Sequence, residues 1–126
     1  MKEEYIKLKL PLPISINTAF CNAKKGRIKS QKYIDWEELA FYELLKQTEY
    51  TIKWDSWLFV EYEYHLPCYT KQNKIKKIDV ENFVKVTSDF LWNNIRWFDD
   101  SKIKTLLIKK INDEKKYVII KIKEIV

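Results

Sequence analysis

Polar side chains recur at three- and four-residue steps in one stretch of this chain: Asp79, Asn82, Lys85 and Asp89, with Glu81 beside the first of them. On a helix these steps put the groups along one side. Shortly afterwards Trp97-Phe98-Asp99-Asp100 sets two adjacent carboxylates after two aromatics and before a β-forming run. Like charges so close repel unless a cation or a basic group sits between them. Carboxylate oxygens at a helix start and a strand start suit Mg²⁺, which prefers oxygen ligands and keeps several waters. One or two such ions, about 4 Å apart when two are bound, can activate a water and stabilise charge on a phosphodiester. Lys85, on the same helix side, is placed to neutralise the scissile phosphate or to position a water. The plainer alternative is a solvated helix side, with Asp79 as N-cap and ion pairs from Lys85 to Glu81 or Asp89.

Other chemistries have less to stand on. His65 is the sole histidine, so a Ser-His-Asp or Cys-His mechanism depends on one residue that the strand pattern sets opposite the apolar face. With Gly26 as the sole glycine, neither a P-loop nor a dinucleotide-binding fingerprint can be formed. Cys21 and Cys68 lie far apart and make no CxxC pair, which reads as two reduced thiols rather than a zinc cluster or a disulfide framework. Lys and Arg number 24 against 18 Asp and Glu, a net +6 that favours a polyanionic partner. Two basic runs carry much of it: Lys24-Lys25-Gly26-Arg27, and Lys71 to Lys77 with Lys74 and Lys76 between them. These would neutralise phosphates, Gly26 allowing close backbone approach; their plainer reading is a pair of solubilising loops.

The elements that must hold these groups follow from periodicity. At 126 residues, 46% hydrophobic and 15% aromatic, residues 1–126 read as one packed domain. Tyr5 to Leu12 alternates Ile6, Leu8, Leu10 and Leu12 against Lys7 and Lys9, a strand ended by Pro11 and Pro13. Ser15 to Ser30 lacks a period and reads as a polar, basic loop. Ser30 to about Lys46 reads as a helix with Ser30 as N-cap and Ile34, Phe41 and Leu45 on its apolar side, Ala40 and Leu44 beside them. Trp57 to Leu66 alternates as a second strand, with Leu58, Val60, Tyr62, Tyr64 and Leu66 on one face. After a basic loop, Asp79 to about Trp92 reads as a helix with Phe83, Val84, Phe90 and Leu91 apolar. Lys102 to Ile111 and Lys116 to Ile125 suit two strands joined by a tight hairpin at Asn112-Asp113-Glu114.

The order β-α-β-α-β-β predicts an α/β chain of the α+β type: a mixed sheet with two helices packed on one face. No stretch approaches membrane-spanning length, and MKEEYIKLKL lacks the apolar core of a signal peptide, so the expectation is a cytoplasmic protein with no membrane. Most aromatics lie on faces that need a core. Phe20, Tyr69 and Trp97, near the basic loops or the acids, are the ones to test against unstacked bases.

The run Asp79-Val-Glu81-Asn82-Phe-Val-Lys85-Val-Thr-Ser-Asp89, followed by Trp97-Phe98-Asp99-Asp100, is similar to the D-x-D-N-x-x-K-x-x-x-D and later D-D of the RusA family of Holliday-junction resolvases. A separate stretch, Leu10-Pro11-Leu12-Pro13-Ile14-Ser15-Ile16-Asn17 with Gly26-Arg27 and Ser30, resembles that family's proline-rich strand end, asparagine and Gly-Arg loop. The two matches span most of the chain.

The resemblance implies a homodimeric, Mg²⁺-dependent endodeoxyribonuclease, Mn²⁺ being an alternative ion, that nicks opposing strands of four-way junction DNA in recombination and repair. Asp79, Glu81 and Asp100 stand at its catalytic, metal-binding acids and Lys85 at its lysine; Asn82, Asp89 and Asp99 take supporting places. Asn17, Lys24, Lys25, Arg27, Lys71, Lys74, Lys76 and Lys77 are the expected DNA contacts. An isologous dimer would offer two equivalent sites to a two-fold junction. One departure is Glu81, where the family pattern has Asp; the extra methylene moves the carboxylate by about 1.5 Å. Because Mg²⁺ geometry is strict, a branched-DNA-binding protein with weak or no nuclease activity is the second expectation. A third treats the acids as an ion-pair network in a protein–protein adaptor.

Overall fold

A computed structural model describes residues 5–23, 26–47 and 56–125. Lys24 and Lys25 lie outside the described residues. The first alternating stretch forms β1 (Ile6–Pro11), with Ile6, Leu8 and Leu10 buried and Lys7 and Lys9 exposed. The segment expected to be a loop is more ordered than that. The Ser15 hydroxyl accepts the Asn17 N–H at 3.2 Å and starts a four-residue helix, α1 (Ile16–Ala19). An antiparallel ribbon follows, β2 (Phe20–Ala23) with β3 (Gly26–Lys29). Gly26 has a φ of +112°, which a side chain would disfavour. Four-residue strands are too short for alternation to reveal them.

Helix α2 (Gln31–Leu45) starts as expected, the Ser30 hydroxyl accepting the Tyr33 N–H at 3.2 Å. Its buried stripe is Tyr33, Trp36, Ala40 and Leu44, whereas Ile34, Phe41 and Leu45 are exposed. Large aromatics set this phase, because they remove the most area from water and carry a polar tip that must be satisfied. Trp36 packs edge-on against Phe90 with centroids 5.2 Å apart and donates its indole N–H to the Pro11 carbonyl at 3.1 Å. Beyond the helix, Gln47 accepts the Lys9 N–H and donates to the Lys9 carbonyl, both at 2.7 Å, giving the free edge of β1 a side-chain partner.

Strand β4 (Trp57–Leu66) buries Leu58, Val60, Tyr62, Tyr64 and Leu66 as expected. Helix α3 (Glu81–Asn94) then packs over it, and a short 3₁₀ turn, Asp100–Lys102, leads into β5 (Ile103–Asn112) and β6 (Tyr117–Ile125). The mixed four-stranded sheet has the order β1-β6-β4-β5, with β4 parallel to β5 and antiparallel to β6. The expected hairpin between the last two strands is therefore not formed; β4 lies between them. Residues 113–116 cross the end of β4, where the Asp113 N–H donates to the Leu66 carbonyl at 3.0 Å. Burial explains the arrangement. Val118, Ile120 and Ile122 of β6 are fully buried and need interior places, whereas β5 carries Lys104, Lys109 and Lys110 and suits an edge.

The sheet face away from the helices carries a charge ladder. Glu61 is only 6% exposed and lies between Lys109, at 3.2 Å, and Lys121, at 3.4 Å. Lys121 also meets Glu63 at 2.7 Å. His65 stacks on Tyr117 with centroids 4.3 Å apart and faces Asp113 at 3.3 Å. The Glu63 carboxyl is held down to about 2, first by the adjoining Glu61 carboxyl and then by Lys121 and His65, against the opposing effect of burial.

Candidate active site and nucleic-acid interface

Helix α3 is fixed on the sheet by two pairs of hydroxyls. Tyr64 meets Thr87 at 2.8 Å, and Thr87 in turn donates to the Phe83 carbonyl at 2.8 Å. Tyr62 meets Ser88 at 2.8 Å. Burial raises both phenols well above the ordinary tyrosine range, so they act as neutral hydrogen-bonding groups. For Tyr62 the negative charges of Asp100 and Asp89 push the same way. These contacts run α3 back along β4, Phe83 against Tyr64 and Ser88 against Tyr62.

Asp79 is exposed just before α3, and its Oδ1 accepts the Glu81 N–H at 3.0 Å. The capping position falls one residue later, on Val80, so Asp79 serves the helix start through this Asx-type bond rather than as its N-cap. Glu81 is the exposed first residue of α3, and Asn82 is half-buried behind it. Lys85, one turn on, pairs with Asp89 at 3.3 Å, the i,i+4 contact that the plainer sequence reading allowed. Asp89 also faces Tyr33, whose phenol is pushed up to about 12, chiefly by burial and then by Glu37 and Asp89.

Asp99 caps the 3₁₀ turn, its Oδ1 accepting the Ser101 hydroxyl at 2.7 Å and backbone N–H at 2.9 Å, which hold its carboxyl below the usual range. Asp100 is exposed on the same turn. Because Ile103 pairs with Leu58, this turn lies at the start of β4, while Asp79 and Glu81 open α3 near its other end. Asp89 is eight residue steps along the helix from Glu81, a rise of about 12 Å. The structure therefore brings Asp79 together with Glu81, and Asp89 with Lys85, and sets both Asp89 and Asp100 in the field of the Tyr62 hydroxyl. Among the described residues, no group of three His, Cys, Asp or Glu side chains is arranged to hold a metal ion.

The basic run before α3 is an ordered hairpin. Thr70 N–H donates to the Lys74 carbonyl at 2.7 Å and Lys76 N–H to the Cys68 carbonyl at 2.8 Å. Asn73 N–H closes a turn onto the Thr70 carbonyl at 2.9 Å, and Asn73 takes the left-handed φ of 61° that this type of three-residue loop requires. Lys71, Lys74 and Lys77 are exposed and Lys76 is half-buried. The hairpin is tied to the sheet where Asn112 Oδ1 accepts the Cys68 N–H at 3.0 Å and where Lys110 donates to the Ile78 carbonyl. Asn17 is exposed on α1, and the Arg27 guanidinium lies 4.9 Å from the Phe20 ring centroid. Sequence periodicity did not reveal Ser88 and Thr87 as anchors of the acid-bearing helix. Their polar tips interrupt an otherwise apolar stripe, and that interruption was the available signal.

The model of the family described as Endodeoxyribonuclease RusA matches residues 11–123. The chain belongs to the RusA endodeoxyribonuclease family. The match runs from the end of β1 into β6 and so takes in the ribbon, the basic hairpin, α3 and Asp99-Asp100. RusA-family proteins are DNA hydrolases that act on branched junctions and generally depend on a divalent metal. No individual curated protein matches the chain in sequence. No described helix is long and apolar enough to cross a membrane.

Proposed function

We propose that this RusA-family chain is a Mg²⁺-dependent, homodimeric nuclease that nicks four-way junction DNA at symmetric positions, in recombination and repair in the cytoplasm. The observation that carries this reading is the placement of Asp79 and Glu81, both exposed at the start of α3, directly after a rigid basic hairpin. Two oxygen-donor side chains two residues apart fit Mg²⁺, or Mn²⁺ in its place, because Mg²⁺ is held by one or two carboxylates together with waters and substrate phosphate. Asp79, Glu81 and, on its place in the family pattern, Asp100 would hold the ion. When bound, it supplies an activated water and neutralises charge at the phosphate. Lys85, exposed one turn from Glu81, releases Asp89 to meet a phosphate oxygen. Asn82 and Asp99 orient the helix start and the 3₁₀ turn. Arg27, Lys71, Lys74, Lys76 and Lys77, with Asn17, Lys24 and Lys25, bind the flanking backbone.

A labelled four-way junction with Mg²⁺ should give paired nicks near the crossover. Asp79→Asn and Asp100→Asn should each lose at least about a hundredfold in cleavage with junction binding retained. Absence of cleavage by the wild type across metals, pH and salt rejects the nuclease reading. The second reading, a junction-binding protein with weak or no nuclease activity, is favoured by Glu81 itself and by the separation of Asp100 from the acids that open α3. Glu81→Asp separates the two. A large rise in cleavage at unchanged affinity identifies the acid's reach as limiting, whereas binding without cleavage by both proteins supports the second reading.

A further inference from the structure

The basic hairpin presents apolar side chains as well as cations. Tyr69 and Ile75 form an isolated antiparallel bridge. The hydrogen bonds from Thr70 N–H to the Lys74 carbonyl and from Lys76 N–H to the Cys68 carbonyl flank this pair rather than joining it. That is the non-hydrogen-bonded type of antiparallel pair, in which the two Cα atoms come closest and the side chains lie side by side on one face. Neither side chain is withdrawn into the core: Ile75 is 73% exposed and Tyr69 50%. Trp97 and Phe20, the other aromatics near the acids or basic loops, are only partly exposed and pack against the core.

An exposed aromatic–aliphatic pair is costly to keep in water unless something covers it. Its surroundings select the cover. Lys71, Lys74 and Lys77 are exposed around it, and they attract a polyanion and disfavour an apolar protein face. A nucleic acid that offers both phosphates and a bare base face satisfies both requirements. In continuous duplex the base faces are stacked; at a branch point the terminal pairs of adjoining arms expose theirs.

We infer that Tyr69 and Ile75 form an apolar wedge that packs on the base pair exposed at the branch point, and so makes the chain select junctions over linear duplex. This rests on the junction-cleaving reading above. Asp79 is four residue steps beyond Ile75, at most about 14 Å of extended chain. A base held on the wedge thus keeps a phosphate within about four nucleotide steps of the acids, at 3.4 Å of axial rise per step. The αL turn at Asn73 and the two ladder bonds hold the wedge in place before DNA arrives.

The test uses the full chain in EDTA with a four-way junction carrying 2-aminopurine at the branch point, beside a linear duplex of the same sequence. The wild type should prefer the junction and lower the 2-aminopurine fluorescence, because a ring stacked on the exposed base quenches it. Tyr69→Ala should lower the junction-to-duplex affinity ratio by about tenfold, as loss of a base–aromatic stack does, with duplex affinity unchanged. Ile75→Ala and Ile75→Ser should each lower it severalfold, and Tyr69→Phe should retain it. Lys74→Ala, in contrast, should weaken both substrates alike and make the salt dependence shallower. If Tyr69→Ala and both Ile75 variants melt like the wild type yet keep its ratio and its fluorescence quenching, the wedge is wrong while the junction reading stands. If the wild type itself shows no preference for the junction, the junction reading fails and the wedge with it.

Discussion

Replacing Thr87 by Val should destabilise the protein more than replacing Tyr64 by Phe, although the two share one hydrogen bond. Both residues are fully buried. The Thr87 hydroxyl donates its single proton to the Phe83 carbonyl at 2.8 Å, so in the 2.8 Å contact between the two hydroxyls the Tyr64 phenol is the donor. Tyr64→Phe leaves Thr87 with its bond to Phe83 and no donor to its lone pairs, and should cost about 1 kcal/mol. Thr87→Val keeps the shape but leaves the Tyr64 O–H without an acceptor in a dry site, and should cost about 2 to 3 kcal/mol. The double variant contains no stranded donor. It should cost less than the sum of the singles by about 1 to 2 kcal/mol. Urea unfolding at one pH, with the midpoint compared at a common m value, measures all three. Equal costs for the two single variants, or simple addition in the double, would refute the assignment of donor and acceptor.

Two further outcomes follow from charge and burial. The Glu63 carboxyl sits at about 2 in the folded chain against an ordinary 4.5, so its contribution to stability is complete above 4.5 and is lost as pH falls from there toward 2. Glu63→Gln should flatten that part of the stability–pH curve measured by urea unfolding between pH 2 and 6. Cys21 is exposed and Cys68 buried, both as free thiols. A chromogenic disulfide reagent should titrate one thiol rapidly in the native protein and two in denaturant; two rapid thiols in the native state would contradict the placement of Cys68.

The long strands and helix starts were legible because each satisfies a local rule. Ten residues of alternation define β4, and Ser30 followed by a helical stretch defines the start of α2. The phase of α2 was ambiguous because Ile34, Phe41 and Leu45 obey the same 3.6-residue period as Tyr33, Trp36, Ala40 and Leu44, displaced by one residue. What separates the two stripes is the fit of Trp36 to Pro11 and Phe90, which are distant in sequence. Partner choice among strands is non-local in the same way. Nothing within residues 102–125 indicates that β4 will lie between β5 and β6. At the candidate site, the types and spacing of the acids could be read directly, and they lie within the residues that the family model matches. Their separation in space depends on the direction of α3 over β4, which is set by Tyr62 and Tyr64 meeting Ser88 and Thr87.

The strand order also bears on the birth of the molecule. β6, the last strand in chain order, is the neighbour of both β1 and β4, so it joins the first strand to the rest of the sheet. During synthesis β4 and β5 can pair as soon as both have left the ribosome, but β1 has no strand to hold until residues 117–125 have emerged. Closing a sheet across nearly the whole sequence is slow, since the loop-closure entropy comes before the contacts that offset it. Until then Ile6, Leu8 and Leu10 have no neighbouring strand, and the nascent chain exposes an apolar edge suited to chaperone capture. A chain cut short before β6 would keep every acid proposed for the site and still lack the sheet that supports them.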